Sequence, residues 1–470
     1  MAKEIVGRKN EKEVLRNAIN SSRSELIAVY GRRRIGKTFL IREFYEKEII
    51  FSMTGYSEGD RTIQIKNFKT KLNEVTEKFV DEKPEDWIDC FVLLKKYISQ
   101  LRKSNKKKVI FIDEFPWVAT NKSGFLAAFE NFWNDFCVGR SDLVVVVCGS
   151  SASYMVKKLI KNRKGLSKRI TQKINLKPFT LGEVREFFEY KKYPILEYEL
   201  LKIYMSLGGI PEYLEQVQKG ESAVSTIDRL CFQPGAYLED EFDDVFDSLF
   251  DTSSFHKMII DALATGQKKG LNRKDLLKKC GVQSSGRFSQ ALKELEISGF
   301  ILKYDSYSGK LKGTRYRIYD EYCLFYLKFM QPYKGNSWQR LYQKAEYAIW
   351  CGYSFETICL KHSTQIKRAL RIEGIASKNY AWDNPKAQID LVIDRDDNWV
   401  NLCEMKFYNE EFVIDAGYMK RLEIKKREFK ADKEGRKGMF LTMMTTHGIK
   451  ENKYSAAIMD HDLRIDCLFE

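Results

Sequence analysis

No stretch of this 470-residue chain is apolar for long enough to cross a bilayer. Its first residues, Met1-Ala2-Lys3-Glu4-Ile5, are charged and lack the apolar centre of a secretory signal. The ten cysteines include no CxxC pair, and no Cys/His spacing would hold zinc. These absences exclude a membrane span and a zinc module, and they lead us to expect a soluble, cytoplasmic protein with no membrane partner. Cys148 and Cys403 lie in apolar contexts, as reduced buried thiols of a cytosol do. Acidic charge is also in deficit, with 65 acidic against 80 basic residues and a net charge of +15. That balance favours a polyanionic partner, nucleic acid first. What is present is ample core material: 44% hydrophobic and 13% aromatic residues exclude a disordered chain. The length is too great for one core and implies about two to four domains.

Against this background one segment stands out, Gly31-Arg32-Arg33-Arg34-Ile35-Gly36-Lys37-Thr38, which fits the phosphate-binding spacing G-x-x-x-x-G-K-[ST]. Leu26 to Tyr30 before it reads as a buried strand and Thr38 to Tyr45 as the first turns of a helix. Such a loop wraps backbone N–H groups around a nucleotide phosphate at the positive end of the helix dipole. Lys37 would reach the β- and γ-phosphates, and the Thr38 hydroxyl would ligate Mg2+. A second apolar strand, Lys108 to Ile112, ends in Asp113-Glu114. Asp113 would hold the Mg2+ shell, and Glu114 would polarise the attacking water. A third, Leu143 to Cys148, ends in Gly149-Ser150-Ser151, where a serine, Ser150 or Ser151, is placed either to sense the γ-phosphate or to cap a helix. The basic stretch Lys157 to Lys173 offers Arg163 or Arg169 as an arginine finger, in cis or from a neighbour, or else a solvated face.

Further along, Phe242, Phe246 and Phe250 recur every four residues among Glu239, Asp240, Glu241, Asp243, Asp244, Asp247 and Asp251, the pattern of a connecting helix with an acidic face. From Phe255 to about Arg317 the expectation is three short helices (His256 to Thr265, Lys274 to Cys280 capped by Asn272, Ser289 to Ser298) and two strands (Phe300 to Tyr304, Arg315 to Tyr319) around a turn at Ser308-Gly309, a winged helix. In a nucleic-acid reader its third helix would present Arg287, Gln290 and Lys293, and Lys310, Lys312 and Arg315 of the wing would touch phosphate. The last region carries Glu356 on a helix, Asp390 in a strand and Glu404-Met405-Lys406 in the next, with the turn Asp396-Asp397-Asn398 between the strands. Strand alternation puts Glu404 and Lys406 on one face, and Asp390 can oppose them. Asp390 and Glu404 would bind Mg2+ or Mn2+, with Lys406 orienting a water, in the D…ExK layout of a phosphodiester-cleaving site completed by Glu356.

Taken over nearly its whole length the chain resembles the archaeal-type ATPases of the STAND branch of AAA-like NTPases. Val6-Gly7-Arg8, Gly31 to Thr38, Ile112-Asp113-Glu114-Phe115, Gly149-Ser150-Ser151 and Gly208-Gly209-Ile210-Pro211-Glu212-Tyr213 carry the resemblance. It implies that Val6 to Arg8 sit near the adenine, that Gly208 to Tyr213 is a lid motif, and that the C-terminal part is a winged helix followed by a PD-(D/E)xK-related domain. Arg169 matches the place of a family Gly-Arg pair, here preceded by Lys168, and Asp390 follows Ile389 where restriction-type nucleases carry proline. The expected architecture is an α/β P-loop NTPase parallel sheet with a helical lid over 1–237, a connecting helix and winged helix over 238–330, and a small α/β nuclease-like domain over 340–470. The expected activity is an ATP- and Mg2+-dependent switch ATPase acting on DNA, with Lys37, Asp113, Glu114 and Arg169 at one site and Glu356, Asp390, Glu404 and Lys406 at the other. A non-nucleolytic regulator and a protein-binding scaffold that oligomerises with nucleotide are the alternatives.

Overall fold

The computed structural model describes residues 4–76, 82–101, 106–160, 165–250, 252–265, 270–305, 307, 314–432 and 437–470. The chain packs as two units, Met1–Pro178 and Phe179–Glu470.

In the first unit five strands, β1 (Glu25–Tyr30), β2 (Ile49–Thr54), β3 (Lys108–Asp113), β4 (Leu143–Gly149) and β5 (Gln172–Asn175), form an all-parallel sheet in the order β2-β3-β4-β1-β5. Helices cover both faces of such a sheet, so its inner strands are continuous apolar runs. All residues of β3 and β4 are buried accordingly. The edge strands lack that signature: β2 opens on Ile49-Ile50-Phe51 but alternates buried and half-buried residues, and β5, which reads Gln-Lys-Ile-Asn and begins within the basic stretch, is not evident from hydropathy. One face is sealed by an aromatic cluster in which Phe91 stacks on Phe132 at 4.8 Å and Trp87 meets Phe125 edge-on at 4.7 Å. Each such buried ring contributes about 1.5–3 kcal/mol.

The second unit begins earlier than residue 237. The helices Leu181–Tyr190, Glu197–Leu207, Pro211–Glu215 and Ala223–Cys231 bury their apolar sides within it. Asp228 accepts the Trp338 N–H at 2.7 Å, and the Tyr322 hydroxyl donates to the Leu238 carbonyl at 2.7 Å. Gly208-Gly209 has a packing role there: a Cβ on Gly209 would stand 2.0 Å from the Phe179 carbonyl oxygen, and Phe179 N–H donates to the Gly209 carbonyl at 2.7 Å. The acidic helix is Glu241–Leu249; Phe242, Phe246 and Phe250 are all buried, and Asp243 and Asp247 both pair with Lys257. Glu241 is not on the solvated face, because it is buried and accepts the Tyr213 hydroxyl at 2.5 Å. Asp251 lies outside the described residues.

Helices Ser253–Ala264, Arg273–Cys280 and Gly286–Ile297 follow, with β6 (Leu271–Asn272), β7 (Ile301–Asp305) and β8 (Thr314–Ile318) in an antiparallel sheet ordered β6-β8-β7. The Asn272 side chain caps its helix by accepting the Asp275 N–H. Ser308, Gly309, Lys310 and Lys312 lie outside the described residues. The remaining part runs from helix Ala345–Lys361 through β9 (Ser377–Asp383), β10 (Gln388–Arg395), β11 (Trp399–Lys406), helix Ala416–Asp432, β12 (Gly438–Thr445) and β13 (His461–Arg464). Its sheet order is β13-β12-β11-β10-β9, antiparallel from β9 to β11 and parallel from β11 to β13. Among the described residues no helix is long and apolar enough to cross a membrane.

His362 is fully enclosed in this unit: its Nδ1 faces the Ile358 carbonyl at 2.8 Å, and its Nε2 accepts the Leu181 N–H at 2.9 Å. Burial lowers its pKa from 6.5 to about 4. A depressed folded pKa makes the unfolded chain bind the proton first, so stability is full above the unfolded value and falls as the pH drops towards the folded one. We expect His362 to cost roughly 3 kcal/mol of stability between pH 6.5 and 4. Urea unfolding at stepped pH should show a shallower acid slope in His362→Gln than in the parent chain; equal slopes would refute this account.

Candidate nucleotide site and carboxylate cavity

The loop after β1 owes its shape to two glycines. Gly31 has φ 150°, and a Cβ there would lie 2.2 Å from the Leu176 carbonyl oxygen; Gly36, at φ 85°, opens the helix Lys37–Phe44. Both backbone positions favour a residue without a side chain. Lys37 is buried and donates to the Arg32 carbonyl at 2.8 Å. Arg32 and Ile35 are buried as well, whereas Arg33 is exposed and Arg34 half-buried with φ 67°. Arg8 braces the loop from outside: its guanidinium donates to the carbonyls of Ile35 at 3.2 Å and Lys177 at 2.7 Å.

Parallel strands end together, so the tips of β3 and β4 stand beside this loop. The Thr38 hydroxyl donates to Asp113 Oδ2 at 2.7 Å, and the other Asp113 oxygen accepts the Glu114 N–H at 2.9 Å. Glu114 has φ 46° and precedes the short helix Phe115–Val118. One of its oxygens, Oε2, accepts both the Ser150 N–H at 3.1 Å and the Ser150 hydroxyl at 2.8 Å. The two serines therefore divide the alternatives: Ser151 caps the helix Ala152–Tyr154, and Ser150 faces Glu114. A threonine hydroxyl and a carboxylate adjoining a loop of this shape suit the hard oxygen shell of Mg2+.

Arg169 does not join this cluster. It is exposed and lies just before β5, where Thr171 pairs with Leu26 at the start of β1. That is the amino-terminal edge of the sheet, and a six-residue strand of roughly 20 Å separates it from the loop. A finger acting in cis from Arg169 is thus removed; Arg163 lies outside the described residues.

In the second unit, Asp390 on β10 stands one step beyond the paired residues Leu391 and Cys403, opposite Glu404 on β11. The Met405 N–H donates to Asp390 Oδ2 at 2.9 Å. Lys406 Nζ lies 3.8 Å from Asp390 and 3.5 Å from Glu404, and donates to the Met405 carbonyl at 3.1 Å. Burial and the neighbouring Asp390 carboxylate push the Glu404 pKa up. For Lys406 burial works the other way, but Asp390 and Glu404 outweigh it and raise its pKa. A cavity of about 290 Å³ opens beside them, lined by Glu356, Gln388, Asp390, Lys406, Arg421 and Lys425 among others. Lys425, on helix Ala416–Asp432, donates to Glu404 Oε1 at 2.5 Å.

The structure thus brings Asp390, Glu404 and Lys406 together as their spacing implies and sets Glu356 on the wall of the same cavity. Among the described residues, however, no three acids, histidines or cysteines are grouped to hold a metal, so Glu356 does not complete a triad of ligands. Two carboxylates still fit Mg2+ or Mn2+, which commonly take one or two of them and keep their waters. The Glu404 Oε2 atom is buried without a hydrogen-bond partner, as a ligand oxygen would be. Lys425 was not foreseeable: its helix also carries Lys420, Arg421, Lys426, Arg427 and Lys430, and nothing in that run singles it out. Of the residues expected to meet nucleic acid, Arg287 and Lys293 are exposed on the third helix, Gln290 is half-buried against Glu294, and Arg315 is paired with Asp383 rather than free for phosphate.

Comparison with known proteins bears on the first unit and on part of the second. Residues 5–217 match a family described as an ATPase domain predominantly from Archaea. The chain therefore carries a P-loop ATPase domain that binds ATP. An uncharacterized protein of Methanocaldococcus jannaschii is 27% identical over 401 residues, covering 84% of this chain and 85% of that one. A second protein of the same organism, named as an uncharacterized ATP-binding protein, is 49% identical over 46 residues, 10% of this chain and 78% of its own. Among solved structures, a Walker-type ATPase of Pyrococcus abyssi has a TM-score of 0.49 at 18% identity, covering 69% of this chain and 96% of that one. The ORC2 protein of Aeropyrum pernix has 0.41 at 14%, covering 77% and 96%.

Removing the Arg8 brace should loosen the loop without touching the phosphate-facing groups. We expect Arg8→Ala to weaken ATP binding about tenfold, roughly the 1.4 kcal/mol of one lost charge-assisted hydrogen bond. Calorimetric titration of the full chain measures it; unchanged affinity would mean the loop holds its shape unaided.

Proposed function

We propose that the chain is an ATP-hydrolysing switch whose output is a DNA-binding, metal-dependent phosphodiester-cleaving module. The observation that carries the ATPase half is the Thr38–Asp113 hydrogen bond at the mouth of the loop, with Glu114 next in sequence. In this reading Lys37 and the backbone of Gly31 to Thr38 hold the phosphates, and Thr38 and Asp113 hold Mg2+. Glu114, once released from Ser150, orients the attacking water.

For the second half the support is the carboxylate cavity and the order of elements around it. Three helices and a small antiparallel sheet suit a winged helix, whose third helix offers Arg287 and Lys293 outward. A helix, three antiparallel strands, a helix and a parallel strand suit a PD-(D/E)xK-type core. The modules we propose are the ATPase with its lid, a winged helix, and a nuclease-like domain. Asp390 and Glu404 would bind the metal, which supplies a Lewis acid and an activated water when bound. Lys406 stabilises charge developing on the phosphate, while Gln388 and Arg421 face the same space. One observation favours a second reading: Lys406 and Lys425 already neutralise the two acids, as they would in a module that binds nucleic acid without cutting it.

The test is cleavage of plasmid and single-stranded DNA with Mg2+ or Mn2+, with and without ATP. We expect cleavage that Asp390→Ala lowers at least about 100-fold, the scale of losing a catalytic group, and that Lys37→Ala no longer couples to ATP. ATP turnover with no cleavage of either substrate would overturn the nuclease half and leave the non-cleaving regulator.

A further inference from the structure

Four cationic side chains line the cavity of the second unit against two acids, and they come from three places in the chain. Lys406 sits on β11, Arg421 and Lys425 on helix Ala416–Asp432, and Lys386 in the turn between β9 and β10. The two more buried lysines are committed. Lys406 lies 3.8 Å from Asp390 and 3.5 Å from Glu404, and Lys425 donates to Glu404 at 2.5 Å. Glu356, the other acid on the wall, has the buried Arg317 as a favourable charge neighbour, and the two line a small adjoining cavity.

That leaves Arg421 and Lys386 at the rim. Arg421 is exposed, and among the described residues no acid stands at ion-pair range of it; its guanidinium lies over the Tyr418 ring, 4.8 Å from the centroid. Tyr418 is itself held edge-on by Phe412 at 4.9 Å. Lys386 is 73% exposed and reaches an acid, Glu428, only at 3.7 Å. Its turn is fixed by Asn384, whose side-chain oxygen accepts the N–H groups of Lys386 at 2.8 Å and Ala387 at 2.7 Å. Because the inner charges cancel, the field at the rim is that of the two outer cations, and a cleft concentrates it. A planar guanidinium laid on an aromatic face keeps its N–H edge free, the geometry that takes a phosphate by two parallel hydrogen bonds. The volume of about 290 Å³ is near the lower bound of small-ligand cavities, with room for one phosphate and its sugar.

We infer that the rim of this cavity is a metal-independent receptor for a nucleic-acid phosphate, gripped by Arg421 from the helix and Lys386 from the turn. The inference deepens the non-cleaving, nucleic-acid-binding reading given above. An internal diester and a terminal phosphate present the same oxygens, and the test separates them.

Binding of a short, 3′-labelled single-stranded DNA to the full chain is followed by fluorescence anisotropy in EDTA, with thermal melts reporting the fold. We expect Arg421→Ala to weaken binding about tenfold, as the loss of a charge-assisted contact does. It should also lower the slope of log affinity against log salt by about 0.7, the share of one single-strand phosphate. Lys386→Ala should act in the same direction. Lys420→Ala makes the same change of charge on the same helix but outside the cavity, and should stay within about twofold of the parent. A 5′-phosphate that strengthens binding only when Arg421 is present identifies the terminal group, and equal binding with and without it identifies the diester. Equal losses in Arg421→Ala and Lys420→Ala would overturn the receptor and leave only diffuse attraction. Binding that appears with Mg2+ but not in EDTA would overturn it and leave the metal reading standing. No binding under either condition would overturn the nucleic-acid reading as well.

Discussion

A parallel sheet covered on both faces can offer polar groups to a ligand only at the ends of its strands. In the first unit this constraint does most of the assembly. Strand β4 lies between β1 and β3, so the tip of β4 brings Ser150 to Glu114 while the loop after β1 brings Thr38 to Asp113. Four polar residues from distant parts of the chain meet at the strand tips, where Asp113 ends β3 and Ser150 follows β4. The same constraint keeps Arg169, which precedes β5 at the amino-terminal edge of the sheet, from acting in cis.

The second unit solves a different problem. Its acids lie along strands β10 and β11 rather than past their ends, and burial on its own favours the neutral form of Glu404. Lys406 and Lys425 keep Asp390 and Glu404 within a charge-balanced group. Buried ion pairs contribute little net stability, because the desolvation they require offsets their attraction. The nuclease proposal starts from this point, since it would give the two acids and their lysines a role other than folding.

How much of this the sequence discloses depends on the kind of signal. The inner strands β1, β3 and β4 are uninterrupted apolar runs, and the loop glycines are fixed by spacing, so both are legible. Edge strand β5 is short and mostly polar, and hydropathy passes over it, whereas β2 opens on Ile49-Ile50-Phe51 but is only partly buried. Asp390, Glu404 and Lys406 follow from the two-residue period of a strand. Lys425 does not, because a helix rich in basic residues gives no cue to which one turns inward. The boundary after Pro178 is not legible either: from Leu181 to Leu249 only helices follow β5, and hydrogen bonds to later residues, among them Leu181 with His362, Asp228 with Trp338 and Leu238 with Tyr322, assign them to the second unit. The glycines of Gly208-Gly209 showed a turn, but not that the Phe179 backbone passes within contact of it.

The cysteines carry a consequence of another kind. Nine of the ten are buried as free thiols, and Cys280 alone is half-buried. Thiolate, not thiol, attacks alkylating reagents, and apolar burial suppresses both ionisation and access. The folded chain thus carries a single kinetically favoured handle for a maleimide dye, on the second of the three short helices. The nine silent thiols, spread over both units, would reveal themselves in sequence as each part of the chain opens.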